Sequence, residues 1–176
     1  FICSAVVLGL SATLAKQQLV GPVPPEIGFS SFAGAFAMVA CLVGVAGLWV
    51  NSIPGVVTMA MDGIAAVVYL VGGIILTSAL KVVSSCSAIS DEAQISIGSN
   101  KLLTVGCTTA NYGSNPSCSE LQVDDPKKDP SISRCQRAVT DYAFDYFGFT
   151  LYVAMVFLGY VLARRGGSRP TVAAQI

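Results

Sequence analysis

Charged residues are scarce in this chain of 176 residues, and histidine is absent. Only 11% of the residues are charged and 53% are hydrophobic, whereas about 25% are charged in an ordinary soluble domain. A water-soluble surface cannot be built from so few charges. The composition therefore excludes a soluble globular domain and indicates a membrane protein.

The absences also argue against several kinds of function. Without histidine, the chain lacks the usual general base and the commonest metal ligand. It contains no nucleotide-binding, zinc-protease or serine-hydrolase motif. The formal net charge is zero, which gives no electrostatic reason to expect nucleic acid as a partner. We therefore predict a protein that is not an enzyme, with no catalytic residue, metal site or cofactor.

The charges that are present fall mainly in two regions. Thirteen of the twenty lie from Lys81 to Asp141, and three more are Arg164, Arg165 and Arg169. An ion in hydrocarbon costs several kcal/mol, and a helix needs roughly 20 apolar residues to cross a bilayer. The apolar stretches between these regions predict four membrane-spanning helices, at about residues 1–15, 29–50, 55–80 and 142–163.

These four spans predict the fold class and the domain boundaries. We expect an all-α membrane protein, with a four-helix transmembrane bundle over 1–165, a long loop over 81–141 and a short tail over 166–176. The first span is short and the chain does not begin with Met, so we expect its opening turns to precede Phe1. The alternative is the apolar region of a signal peptide, with a weak cleavage-like triplet at 13–15.

The arginine-rich tail predicts the orientation. By the positive-inside rule, it places the C-terminus in the cytoplasm, and four spans place the N-terminus there too. The loop over 81–141 is then extracellular. Long loops cross membranes largely regardless of charge, so its six basic residues do not contradict this orientation.

Cysteines support the same orientation. Four of the six lie in this loop, namely Cys86, Cys107, Cys118 and Cys135. An even set in one loop is typical of two disulfides on an oxidising face. Zinc is disfavoured, because no C-x-x-C pair and no histidine are present. Of the three connectivities, we favour Cys86 with Cys135 and Cys107 with Cys118, which would staple the loop near spans three and four.

Polar residues within the spans are candidate sites. Asp62 lies inside span three, where an ionisable residue is a functional hypothesis by default. We favour a structural role for it, in which it accepts hydrogen bonds from Asn51, Thr58 or a neighbouring span, or stays protonated. Asp141 and Asp145 lie one turn apart at the outer end of span four. The tyrosines there predict anchoring at the membrane interface, with a lipid contact, sterol or sphingolipid, as the alternative. They are Tyr142, Tyr146 and Tyr152.

Several short segments carry a resemblance to a known family. They are VLGLS at 7–11, FAGAF at 32–36, TMAMDGIA at 58–65, NKLL at 100–103 with Gly106 and Cys107, RCQRA at 134–138, and PTV at 170–172. In order and spacing these segments resemble the MARVEL-domain tetraspan proteins. More narrowly, they resemble the fungal branch of membrane-associating proteins related to the non-classical export protein of eisosomes.

The resemblance implies a non-catalytic organiser or scaffold of plasma-membrane microdomains, of the eisosome or trafficking type. Its expected partners are membrane lipids, further copies of itself and other membrane proteins. Small residues four apart, such as Ala33 and Ala37, favour this role, because they allow close helix packing in lipid. Two alternatives stay open: a small oligomeric channel or transporter that uses Asp62, and an accessory subunit of a larger membrane complex.

Overall fold

The computed structural model describes residues 1–18, 21–49, 55–81, 86, 100, 102–105, 107 and 130–164. This part of the chain contains four α-helices and no strand. They are α1 (Ile2–Lys16), α2 (Pro25–Trp49), α3 (Gly55–Leu80) and α4 (Pro130–Arg164). The fold is therefore all-helical over the described residues.

Three of these helices are long and apolar enough to cross a membrane. Their candidate spans are Pro25–Gly47, Gly55–Leu80 and Ser131–Arg164. Helix α1, with 15 residues, is apolar but shorter than a complete span. The first of the four expected spans thus stays a prediction.

The helix bounds differ from the expected spans at two places. Helix α3 begins and ends where span three was expected, but α2 begins at Pro25 rather than at Phe29. Proline fits the first turn of a helix, where its missing N–H has no intrahelical partner. Helix α4 begins at Pro130 rather than at Tyr142, so the end of the expected loop over 81–141 is helical. Two of the charged residues in this extra length, Arg134 and Asp141, are buried.

The four helices form a closed ring. Each packs against its neighbours in the sequence, and α4 also packs against α1. Contacts pair the helices in antiparallel fashion: Ser11 meets Ser30, and Ser11 also meets Asp141. We call the end near Lys16, Pro25, Leu80 and Pro130 the loop end, and the end near Ile2, Trp49, Gly55 and Arg164 the turn end.

The ring interior is built mainly from small and polar residues. Buried positions recur every three or four residues, as in an α-helix with one inward face. In α1 they are Ser4, Val7, Ser11 and Leu14, and in α4 they are Ser131, Arg134, Cys135, Ala138, Asp141, Asp145, Gly148 and Tyr152. Large apolar side chains, including Val39 and Phe157, face outward instead. This distribution suits a lipid environment.

One contact between α1 and α2 requires glycine. A Cβ atom on Gly34 would lie 2.7 Å from the backbone N and 3.1 Å from the Cα of Leu8. These are backbone atoms, which cannot move without shifting the helix. On the same face of α2, Ala33 and Ala37 are fully buried. The expected packing through small residues is therefore found on α2, where it brings α1 close.

Candidate functional site

The loop end is covered by a short buried segment, which we call the cap: residues 100, 102–105 and 107. Except for the partly buried Asn100, its residues are buried. Asn100 fixes it to α3, because its Nδ2 donates to the carbonyl oxygen of Ala79 at 2.8 Å and its Oδ1 accepts from the N–H of Leu102 at 3.0 Å. Carbonyls in the last turn of a helix have no intrahelical partner. Asn100 thus satisfies one and positions the cap.

Arg134 of α4 holds the cap from the other side. Arg134 is only 1% exposed. Nε and Nη2 donate to the carbonyl oxygen of Leu102 at 3.3 and 3.0 Å, and Nη1 donates to that of Leu14 at 3.1 Å. Nη2 also reaches Oε1 of Gln18 at 3.4 Å. The positive charge lies at the C-terminus of α1, where the helix dipole favours it. One side chain thereby joins α1, the cap and α4.

A disulfide lies next to this arginine. Cys86 and Cys135 are bonded, with their Cα atoms 5.6 Å apart. The Cys135 side chain packs with Leu102, Leu103 and Leu80 in the apolar cluster of the loop end. Cys107 is also disulfide-bonded, and Cys118, its expected partner, lies outside the described residues.

A second polar group lies inside the ring, one step further from the loop end. Ser11 of α1, Ser30 of α2 and Asp141 of α4 are buried, and both serine Oγ atoms lie 2.8 Å from Asp141 Oδ2. Ser11 Oγ is also 2.8 Å from Ser30 Oγ and from the carbonyl oxygen of Val7. A hydroxyl has one proton, so Ser11 donates along only one of these contacts at a time. The group links three helices.

Asp145 follows one turn later on the same face of α4 and is fully buried. Its carboxylate points at α3, since Oδ2 would lie 3.2 Å from a Cβ atom placed on Gly72. The same position is 3.9 Å from Cβ of Ala33. Among the described residues, neither oxygen of Asp145 has a hydrogen-bond partner. We call Ser11, Ser30, Asp141 and Asp145 the polar core.

Residues 1–158 match the sequence profile of the membrane-associating (MARVEL) domain family. They include α1, α2, α3 and most of α4. The chain belongs to the MARVEL family. This family is membrane-associating and is not known to be enzymatic. Comparison with curated proteins and with solved structures gives no match.

The geometry gives a role to residues that carried the MARVEL resemblance. Asn100, Leu102 and Cys107 belong to the cap, while Arg134 and Cys135 hold it. The two interactions of Arg134 with carbonyls could not be predicted from the sequence, since its partners are distant in the chain. A usable signal was the spacing of Arg134, Asp141 and Asp145, which places all three on one face of a helix.

The three tyrosines of this MARVEL helix α4 differ in position. Tyr152 was expected at the membrane interface, but it lies inside the bundle, where its hydroxyl donates to the carbonyl oxygen of Ala37 at 3.0 Å and its ring stacks on Tyr69 at 5.7 Å. It thus packs in the core rather than facing lipid. Tyr142 and Tyr146 are half-buried, and Tyr146 Oη lies 3.2 Å from Thr77 Oγ1.

Asp62 lies away from both sites, in the half of α3 nearer the turn end. It is half-buried and makes no side-chain hydrogen bond with any described residue. Thr58, one of its expected donors, donates instead to the carbonyl oxygen of Gly55 at 2.9 Å. Asn51, the other, lies outside the described residues. The structural role predicted for Asp62 therefore gains no support from Thr58.

Proposed function

We propose that this MARVEL protein is a non-catalytic organiser of membrane microdomains. In this proposal it is a plasma-membrane tetraspan of the eisosome or trafficking type, with both termini in the cytoplasm. It acts by lateral contact with lipids, with further copies of itself and with other membrane proteins.

The observation that carries the proposal is the contrast between the inside and the outside of the ring. Polar groups such as Arg134 and Asp141 point inward and bond helices to one another. The outward faces carry large apolar side chains, among them Phe32, Val39 and Phe157. Such a molecule offers packing surface to the bilayer rather than a reactive group. Lateral packing is the way in which helices associate in lipid.

Helix α4 supplies the most available surface. Beyond Tyr152, nearly every position is at least partly exposed, and Phe157 is 64% exposed. Lipid tails are as apolar as these side chains, so association here depends on shape rather than on a hydrophobic driving force. We therefore place the self-association surface on α4 near the turn end.

The proposal is tested by cysteine cross-linking in native membranes. In a background with Cys3→Ala and Cys41→Ala, Phe157→Cys is expected to give cross-linked species. The matched control Ala138→Cys, at a buried position of the same helix, should not. Purification of the full chain in mild detergent should then recover self-associated protein or other membrane proteins with bound lipid. The proposal would be contradicted if purification recovered only monomers and the protein were evenly distributed in the native membrane.

A channel or transporter is the second candidate, favoured by Asp62, which is half-buried and makes no side-chain hydrogen bond with any described residue. Ion flux in proteoliposomes that disappears in Asp62→Asn would overturn the scaffold proposal. A stoichiometric complex with one larger membrane enzyme in the same purification would instead identify an accessory subunit. The three functions therefore give different results in two experiments.

A further inference from the structure

Two buried acids lie on one face of α4, and each of them needs a counter-charge when it is ionised. Asp141 and Asp145 are both 0% exposed, and residues four apart on a helix have their Cβ atoms about 5–6 Å apart. An ionised carboxylate away from water is costly unless it is paired and hydrogen-bonded. In a membrane helix such residues pair with a partner or mark an ion pathway.

The described residues provide no such partner. Asp141 Oδ2 accepts from the two serine hydroxyls, whereas Oδ1 of Asp141 and both oxygens of Asp145 have no hydrogen-bond partner among those residues. Two arginines precede these acids on α4. Arg134 is engaged with the carbonyls of Leu102 and Leu14, and the half-buried Arg137 makes no hydrogen bond with either acid. Three carboxylate oxygens are thus available inside the ring.

The surroundings of Asp145 offer the right donor type and no competing charge from α3 or α2 at the nearest positions. Opposite Asp145 lie Gly72 and Ala33, which are the smallest residues and bring no side-chain charge. The other polar atoms of the polar core are the hydroxyl oxygens of Ser11 and Ser30. Carboxylate and hydroxyl oxygens are hard ligands, which suit alkali and alkaline-earth cations rather than zinc or copper.

We propose that the bundle binds one hard inorganic cation, of the alkali or alkaline-earth class, between the carboxylates of Asp141 and Asp145. The hydroxyls of Ser11 and Ser30 contribute ligands from α1 and α2. The bound cation neutralises the buried acids and joins α1, α2 and α4 beside Gly72 of α3. This site is separate from the apolar outer surface proposed for membrane organisation.

The test uses the purified full chain in detergent, in choline chloride with a chelator at constant ionic strength. Sodium chloride and calcium chloride are then added, each alone. One of them should raise Tm by roughly 5–10 °C at saturation, since a ligand that binds only the folded state stabilises it. Equilibrium dialysis with radioactive sodium or calcium should find about one bound ion per chain.

Variants locate the site. The isosteric Asp145→Asn should abolish the rise in Tm and the bound ion, whereas Glu26→Gln, at the start of α2, should retain both. If Asp145→Asn does not fold, Ser11→Ala should lower the affinity for the ion by about tenfold, the loss of a little over 1 kcal/mol. Wild-type protein that binds neither ion and shows no ion-specific rise in Tm would overturn the proposal. Full ion binding by Asp145→Asn would overturn it as well.

Discussion

The loop end and the turn end of this MARVEL bundle are held together in different ways. At the loop end, Arg134 bonds two carbonyls, Cys86 is joined to Cys135, and a buried segment covers the helix ends. At the turn end, Trp49 is 86% and Val56 is 70% exposed. One end is fastened by directional bonds, while the described residues of the other present apolar surface.

This difference separates stability from association. Hydrogen bonds and a disulfide fix one arrangement of helices, because their geometry admits few alternatives. Apolar surface in lipid does not by itself select one arrangement of helices, since neighbouring helices and lipid tails compete for contact with it. We therefore expect substitutions at the loop end to affect the folded state, and substitutions at the turn end to affect lateral contacts.

The largest loss of stability is expected from Arg134→Ala. It leaves the carbonyls of Leu102 and Leu14 buried without their donor, at a cost of about 2–6 kcal/mol for the two groups. Arg134→Lys should fall between this variant and wild type, because an ammonium cannot reproduce the planar fork. The free energy of unfolding in detergent measures both. Unchanged stability in Arg134→Ala would show that the loop end is not held together by these hydrogen bonds.

Removal of the Cys86–Cys135 disulfide should have the next largest effect. The double variant Cys86→Ser and Cys135→Ser is expected to lose about 2–4 kcal/mol, because the unfolded chain regains the freedom of a long loop. Cys3→Ser, at a free cysteine of α1, is the control and should unfold like wild type. Equal thermal unfolding curves for the double variant and the control would show that the loop end does not depend on this bond.

A smaller loss is expected at the contact between α1 and α2. Gly34→Ala places a methyl group against the backbone of Leu8, and such overpacking costs about 1–3 kcal/mol. Gly44→Ala adds the same methyl group nearer the turn end, where no atom lies within 4 Å. Its stability should stay equal or rise slightly. If both variants unfold alike, close packing does not distinguish the two regions.

The smallest effect on stability is expected from Phe157→Ala at the turn end. The side chain is exposed, so the free energy of unfolding should change by less than about 0.5 kcal/mol. The yield of purified oligomer from mild detergent should fall, because the proposed contact surface is reduced. A loss of stability as large as that of Arg134→Ala would place Phe157 in the folded core and contradict the assignment of this surface.

Most of the helical architecture was predictable, because apolar length alone separates spans from loops. Helix α3 illustrates this: the long apolar sequence after Pro54, in which Asp62 is the one charged residue, predicts its bounds. Helix α4 shows the limit. Arg134 and Asp141 resemble loop residues when charge is counted, yet they are helical and buried. A prediction from charge alone assumes that each charged side chain is exposed to water or lipid. This assumption fails where charged side chains point into the interior of a bundle.

The candidate site was less predictable, because its partners are far apart in sequence. The serine partners of Asp141 lie 130 and 111 residues away, and no local pattern specifies such a pair. Tyr152 was expected in an interfacial belt, since aromatic residues crowd that helix, but the small Ala37 on α2 leaves room for it inside. Helical spacing predicts which residues share a face, whereas only the assembled ring shows where that face points.

The contacts between the first and last helices also have a consequence for biosynthesis. Leu14 and Ser11 obtain their α4 partners, Arg134 and Asp141, only after 120 or more further residues have been made. Until then, α1 has α2 beside it, and Ser11 has Ser30 as its polar partner between the two helices. The ring of helices can therefore close only late in the synthesis of the chain. A nascent chain arrested before α4 would expose the inward faces of three helices to whatever insertion factor or chaperone holds them.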